Sequence, residues 1–336
     1  MIELSIILVN WNCLKYTEQC LTSIRNTGTD IDYEVIVVDN DSFDAPCQSL
    51  VTNYSWATLI LSEENLGFGR ANNLGVRYST GKNLLFLNPD TIVKGDALKR
   101  MLTALESLPE AGAVGCRLLN PDGTLQATSV QAFPTIANQV FALHWLQRRW
   151  PRSPLWGKQA LYSSDLSKLH EVDFVSGAAI LVKRDVFEKV GGFNPKYFMF
   201  AEEADLCLMI HRNGYKVVHT SDAEIIHFGG QSTKSCDDHF ASIAMADSIF
   251  QFMSRNRGSL YANLYRFALA ISSFIRMSVM VCVFPLVLFL GVPYKKQNAV
   301  RVFRKWMKIA QWAVRWQRVR SGALKAGPAP TVSIEN

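Results

Sequence analysis

The chain has 336 residues, 49% of them hydrophobic, and a net charge of +6, enough for one large domain with a full core plus an appendage. The seven cysteines (Cys13, Cys20, Cys47, Cys116, Cys207, Cys236, Cys282) are scattered and never form a CxxC pair. That argues against a disulfide framework or a zinc site and fits a reducing compartment. From Lys295 onward ten Lys and Arg face Glu335 alone, a charge of +9 that leaves −3 for the rest, so the basic character belongs to the tail. No nucleic-acid motif accompanies it, which turns the expected partner from nucleic acid to an anionic lipid surface.

The first segment, MIELSIILVNWN, reads as a buried strand over Leu4–Val9. Glu3 interrupts its apolar run, and it has neither a basic leader nor a small-residue cleavage site, so it does not read as a signal peptide. Leu14–Arg25 has helical spacing. Glu34–Val38 is a second buried strand and Thr58–Leu61 a third, followed by a Gly/Asn-rich turn and a helix to about Arg77. Asn83–Leu87 is a fourth strand. A helix from about Asp96 to Leu108 precedes a strand at Gly112–Cys116. Short apolar strands alternating with helices predict an α/β fold, a mainly parallel sheet with helices on both faces.

From about Gln126 to Asp173 the chain is aromatic and basic without clean periodicity, suiting an acceptor-site loop, a membrane-facing patch or structural filler. Order returns at Val172 as strand, helix and glycine turn. Phe267–Val292 is the most apolar stretch, but Arg276 sits inside it, Pro285 interrupts it and basic residues flank both sides. A re-entrant or in-plane helical hairpin fits better than a span. Over residues 299–320, Val302, Trp306, Ile309, Ala313 and Trp316 fall near one helical face, with Arg and Lys over much of the rest. A basic, Trp-rich amphipathic helix suits an anionic headgroup region; the alternative is a helix packed on the core with its basic side in water. Residues 326–336 read as a disordered tail.

Three predicted strands end in polar clusters: Asn10-Trp11-Asn12, Asp39-Asn40-Asp41 and Asn88-Pro89-Asp90. Asn, Asp and Pro are ordinary turn formers. Three such clusters together favour a ligand site, because the crevice of an open α/β sheet lies beyond the carboxyl ends of its strands. Asp39 can accept hydrogen bonds from a base or ribose, with Asp41 a second candidate. The turn Asn65-Leu66-Gly67-Phe68-Gly69-Arg70-Ala71-Asn72-Asn73 leads into a helix whose first amides, with Arg70, can face an anion. Asp90 offers a hard oxygen to a cation or simply caps a turn. Glu202, Glu203 and Asp205 follow an aromatic run and should perturb one another's pKa. One can then act as a base while another binds acceptor or orients the helix. His227, among glycines, is a candidate metal or phosphate ligand.

In order, SIILVNWN (5–12), VIVVDNDS (35–42), NLGFGRANN (65–73), LFLNPD (85–90), SGAAILVKRDVFEKVGGF (176–193), FMFAEEADLC (198–207) and IIHFGGQS (225–232) cover roughly residues 3–235. This set resembles the GT-A-fold family 2 inverting glycosyltransferases, particularly their bacterial rhamnosyltransferase-like branch. The resemblance implies that Asn10 and Asp39 contact the nucleotide, with Asp41, Asn65, Gly67, Arg70, Asn73 and Asn88 also on the nucleotide-sugar side. It implies Mg²⁺ or Mn²⁺ on Asp90 with His227, and Asp205 and Gly177 toward the acceptor. The family's acidic pair usually reads Glu-Asp with the second member as base; here it is Glu202-Glu203, so the base is expected at Glu203, with Glu202 a rival. Asn88 stands where a full Asp-x-Asp would have its first acid.

The expected reaction is a metal-dependent inverting transfer from a nucleotide-diphosphate sugar, dTDP-L-rhamnose in the first instance, to a polyprenyl-diphosphate-linked saccharide. It would run at the cytoplasmic face of a bacterial inner membrane. Galactofuranose, N-acetylglucosamine or mannose donors are alternatives. A sugar-1-phosphate nucleotidylyltransferase would carry a glycine-rich basic loop where this chain has Asn10-Trp11-Asn12-Cys13. A non-catalytic membrane scaffold is the third class. The expected organisation is a catalytic domain over 1–250, with a nucleotide-sugar half to about 120 and an acceptor half from 121. Membrane-associated helices over 251–325 and the tail would follow.

Overall fold

The computed structural model describes residues 1–44, 47–140, 149–150, 169–231, 239–289 and 296–315. The strands are β1 Leu4–Asn10, β2 Tyr33–Asp39, β3 Ala57–Leu61, β4 Asn83–Leu87, β5 Thr91–Val93, β6 Ala111–Leu119, β7 Val130–Gln131, β8 His170–Glu171, β9 Phe174–Val175, β10 Ala179–Lys183 and β11 Lys216–His227. The helices are α1 Leu14–Asn26, α2 Gln48–Asn53, α3 Phe68–Arg77, α4 Ala97–Ser107, α5 Ile136–Val140, α6 Arg184–Lys189, α7 Glu202–Arg212, α8 Phe240–Arg257, α9 Ser259–Phe289 and α10 Lys296–Arg315.

A nine-stranded sheet runs β3-β2-β1-β4-β10-β6-β11-β5, with β8 on β11. β1–β4, β6 and β11 share one direction, whereas β5, β8 and β10 oppose it. The expected α/β sheet is thus mixed at its centre by β10. All seven residues of β1 are buried, as a strand covered on both faces requires. On one face the apolar sides of α1 and α4 meet the sheet through Leu21, Ile24, Met101 and Leu105. On the other, Phe86 and Ile180 meet Phe187 of α6, Leu206 of α7, Phe252 of α8 and Tyr265 of α9. Strand order reverses at β1, whose neighbours are β2 and β4, and this leaves a crevice at their carboxyl ends.

The C-terminal helices differ from expectation in two respects. α9 runs unbroken from Ser259 to Phe289, through position 285. One proline removes a single main-chain hydrogen bond, at about 3 kcal/mol, whereas a break within so apolar a stretch would strand several main-chain groups. The second arm is α10, antiparallel to α9: Arg266 Nη2 donates to Ala313 O at 2.7 Å, and Arg276 lies 4.2 Å from the Trp306 ring centre. Arg276 also donates to Val140 O at 3.0 Å, which explains how an arginine is accommodated in this segment.

The second difference concerns the face of α10 expected to meet lipid. Ile309 and Ala313, together with Trp312, are buried in the same core cluster as Phe252 and Tyr265. Trp312 Nε1 donates to Asp247 Oδ1 at 3.2 Å, a polar partner that makes the protein interior the better place for this ring. Val302 remains exposed, and Trp316 lies outside the described residues. Outward, α10 shows Arg301, Arg304 and Lys308, while α9 shows Leu260, Leu264, Phe267, Ile271, Phe274, Ile275 and Val279. Of the aromatic-basic segment, His144, Trp145, Arg148, Arg152 and Trp156 also lie outside the described residues, as does the tail.

Candidate active site

Parallel pairing sets Asn10 and Asp39 side by side at the ends of β1 and β2. Asn10 is fully buried; its Nδ2 donates to Asp39 Oδ1 at 2.8 Å, and its Oδ1 accepts from Thr17 Oγ1 at 2.8 Å. Cys47 Sγ donates to the same Asp39 oxygen at 3.1 Å, and burial beside that carboxylate pushes the thiol up to about 12. The next residue, Asn40, accepts from Leu66 N at 2.8 Å and donates to Asn65 Oδ1 at 3.0 Å, tying the β2 end to the turn before α3. Gly67 is required there: its φ is +75°, and an added Cβ would lie 2.1 Å from Phe198 O.

The antiparallel pairing of β5 with β11 sets His227 opposite Thr91, the residue after Asp90. Phe228 N also donates to Asp90 O at 2.9 Å. His227 Nε2 lies 3.3 Å from Asp90 Oδ1 and 3.3 Å from Asn88 Nδ2, and His227 Nδ1 lies 2.8 Å from Gln126 Oε1. Gln231 N donates to Asp90 Oδ2 at 3.3 Å. A carboxylate oxygen and an imidazole nitrogen at this separation, on a carboxylate 4% exposed, suit a hard or borderline divalent cation. Among the described residues no group of three His, Cys, Asp or Glu surrounds such an ion.

Glu202 and Glu203 open α7. The two preceding residues, Phe200 and Ala201, have φ of +69° and +63°. The other non-glycine residues with positive φ are Asn12 and Asp41, after β1 and β2, so among the described residues the backbone strain gathers at strand ends and at the acidic pair. Glu202 is buried, and its Oε2 has no hydrogen-bond partner. Its burial and the adjacent Glu203 charge hold its pKa well above the usual carboxylate range. Burial pushes Glu203 up to about 7. Acids at a helix N-terminus are favoured by the peptide dipoles, but here desolvation dominates.

One cleft of about 520 Å³ is lined by Asn65, Gly67, Asn88, Asp90, Gly177, Glu202, Glu203 and His227. Its further walls include Trp11, Asn40, Gln131, Asn138, Phe174 and Met245. The other candidates lie outside this lining. Asn10 and Asp39 are buried and hydrogen-bonded to each other, and Asp41 is exposed. Arg70 is tied to Leu66 O at 2.7 Å and to Glu64 at 3.8 Å. Asn73 holds both Phe193 main-chain groups, at 2.7 and 3.0 Å. Asp205 accepts from Tyr197 Oη, Asn194 Nδ2 and Asn256 Nδ2 at 3.1–3.2 Å, joining α7 to α8. Sequence reasoning missed Asn40 as a cleft residue, although it lies within a cluster already singled out. It also missed Gln126, which sits 101 residues before His227 without a local motif.

The pattern that defines Glycosyl transferase family 2 matches residues 5–191, more than half of the chain. An N-acetylglucosaminyl-diphospho-decaprenol L-rhamnosyltransferase of Mycobacterium tuberculosis is 28% identical over 244 residues, 68% of this chain and 77% of that protein. Rhamnosyltransferase WbbL of Escherichia coli is 28% identical over 264 residues, 75% of this chain and 93% of its own. Among solved structures, a mannosyltransferase from Pyrobaculum calidifontis in complex with GDP-Man and Mn²⁺ superposes with a TM-score of 0.57 at 18% identity, over 94% of this chain and 87% of that one. That likeness is one of fold. The chain belongs to Glycosyl transferase family 2, and it is a GT-A-fold, rhamnosyltransferase-like glycosyltransferase.

Proposed function

We propose that this chain transfers a sugar, with inversion, from a nucleotide-diphosphate donor to a hydroxyl of a lipid-linked saccharide at a membrane surface. The observation that carries the reading is that Asp90, His227 and Glu203 line one cleft although they come from distant parts of the chain. Asn40 and Asn65, joined by a hydrogen bond in the cleft wall, form the side that takes the nucleotide. Asp90 and His227 would hold a divalent cation, Mg²⁺ or Mn²⁺, which would supply charge neutralisation for the departing diphosphate. Glu203, facing the cleft with a pKa near neutrality, takes the proton of the acceptor hydroxyl. The hydroxyl oxygen forms its bond to the anomeric carbon while the carbon–oxygen bond to the diphosphate breaks, and the leaving group takes that electron pair. Buried Glu202 keeps its proton.

L-Rhamnose from dTDP-L-rhamnose is the donor this reading favours, with a polyprenyl-diphosphate-linked saccharide as acceptor. Support comes from the two rhamnosyltransferase relatives and from the exposed apolar face of α9 beside the basic face of α10. Residues 1–250 would form the catalytic domain and 251–325 its membrane-associated part, at the cytoplasmic face of a bacterial inner membrane. The test is a panel of labelled nucleotide sugars with a lipid-linked acceptor, with and without EDTA. Transfer from dTDP-L-rhamnose that EDTA abolishes and Mn²⁺ or Mg²⁺ restores is expected. Absence of turnover on every donor would overturn the enzymatic reading, and turnover indifferent to EDTA would overturn the metal.

A further inference from the structure

We infer that Gln126 is a positioning residue for the cation site: it fixes which nitrogen of His227 carries a lone pair and aims that lone pair at Asp90. This inference rests on the proposed role of Asp90 and His227.

The orientation of the Gln126 amide follows from its neighbours. Its Nε2 lies 3.3 Å from His227 O and 3.2 Å from Asn120 Oδ1, both of which can only accept. The nitrogen therefore faces those two oxygens, which turns Oε1 toward His227 Nδ1 at 2.8 Å. A carbonyl oxygen only accepts, so Nδ1 carries the proton, and in neutral imidazole Nε2 then carries the lone pair. Nε2 is the atom 3.3 Å from Asp90 Oδ1 and 3.3 Å from Asn88 Nδ2. Asn88 Nδ2 donates into that lone pair, while Asp90 Oδ1 offers a second acceptor beside it. The opposite tautomer would place an N–H against Asp90 and present no nitrogen ligand to a cation. Gln126 thus holds ring and main chain of His227 at once, through Oε1 and Nε2, and Asn120 holds Gln126. Outer partners of this kind orient a metal-binding histidine, and their loss typically costs about 10- to 100-fold in metal affinity.

The test measures Mn²⁺ binding to the full chain by the electron-spin signal of free Mn²⁺, for wild type, Gln126→Leu, Gln126→Glu and His227→Ala. It is paired with the ¹⁵N shifts of the His227 ring without metal. Gln126→Leu removes the acceptor and should weaken Mn²⁺ about 10- to 100-fold. Its Nδ1–H preference should fall too. Gln126→Glu keeps an acceptor on Nδ1 but loses the Nε2 donor, so it should retain the Nδ1–H tautomer that Gln126→Leu loses, a difference that mere loss of folding would not give. Should His227→Ala weaken Mn²⁺ while Gln126→Leu binds it like wild type with an unchanged tautomer, Gln126 has no such role. Should His227→Ala leave Mn²⁺ binding unchanged, the metal site itself fails and this inference with it.

Discussion

Glu202 and Glu203 are adjacent acids in one cleft wall, and burial raises both, so the pair resists losing its second proton. A base must be unprotonated to act, and Glu203 reaches that state only as pH passes about 7. Transfer at saturating donor and metal should therefore climb through that pH, which a rate profile between pH 5.5 and 8.5 checks; a flat profile would move the base elsewhere. Stability has the opposite sign. Between the ordinary value of 4.5 and the raised ones the native state binds more protons than the unfolded chain, so stability falls as pH rises. Glu202→Gln removes its share of that penalty, and its melting temperature should exceed wild type at pH 8 by more than at pH 5. Residue types were legible at this scale, since three acids in four positions stand out in any reading. Their ranking was not, because it depends on which carboxylate is covered by protein.

At the scale of elements, the turn into α3 and the loop before α7 are locked together. Phe68 N donates to Phe198 O at 2.9 Å, over a glycine that has no room for a side chain. Asn73, further along α3, clamps the Phe193 main chain instead of facing the cleft. Asn73→Ala should leave Phe193 N–H unpaired and cost on the order of 2 kcal/mol. A melt a few degrees lower, with donor affinity unchanged, is expected; a large loss of donor affinity at unchanged stability would return Asn73 to the nucleotide side. β1, β2, β4 and α1 were read within a residue or two, because their apolar periods are local, whereas the short α2 was not read. The placing of Gln126 against His227 was not readable, since it is created by a loop meeting the end of β11 across 101 residues.

At the scale of the whole molecule, the sequence announced an apolar stretch and a basic helix but not which surface each would keep. Periodicity reports one face of α10, and that face is taken by α8 and α9 through Ile309, Trp312 and Ala313. The exposed apolar row belongs to α9, and the exposed cations Arg301, Arg304 and Lys308 to α10. Replacing Phe267, Ile271 and Ile275 together by Glu should release the protein from phosphatidylcholine–phosphatidylglycerol vesicles in sedimentation. Replacing Arg301, Arg304 and Lys308 by Glu should abolish the preference for phosphatidylglycerol. Unchanged sedimentation of both variants would leave the membrane surface without support.

The cleft joins these scales, because it brings together Asp90 and His227, the proposed cation ligands, Glu203 of α7, the proposed base, and Asn40, on the proposed nucleotide side. Its two halves can be separated by calorimetric titration of nucleoside diphosphate with Mn²⁺ into Asp90→Asn and Glu203→Gln, alongside transfer assays of both. Asp90→Asn should lose the Mn²⁺-dependent part of binding as well as transfer. Glu203→Gln should bind like wild type while transfer falls by about 100-fold or more. Full transfer by Glu203→Gln, or Mn²⁺-dependent binding unchanged in Asp90→Asn, would contradict the roles given to these two carboxylates.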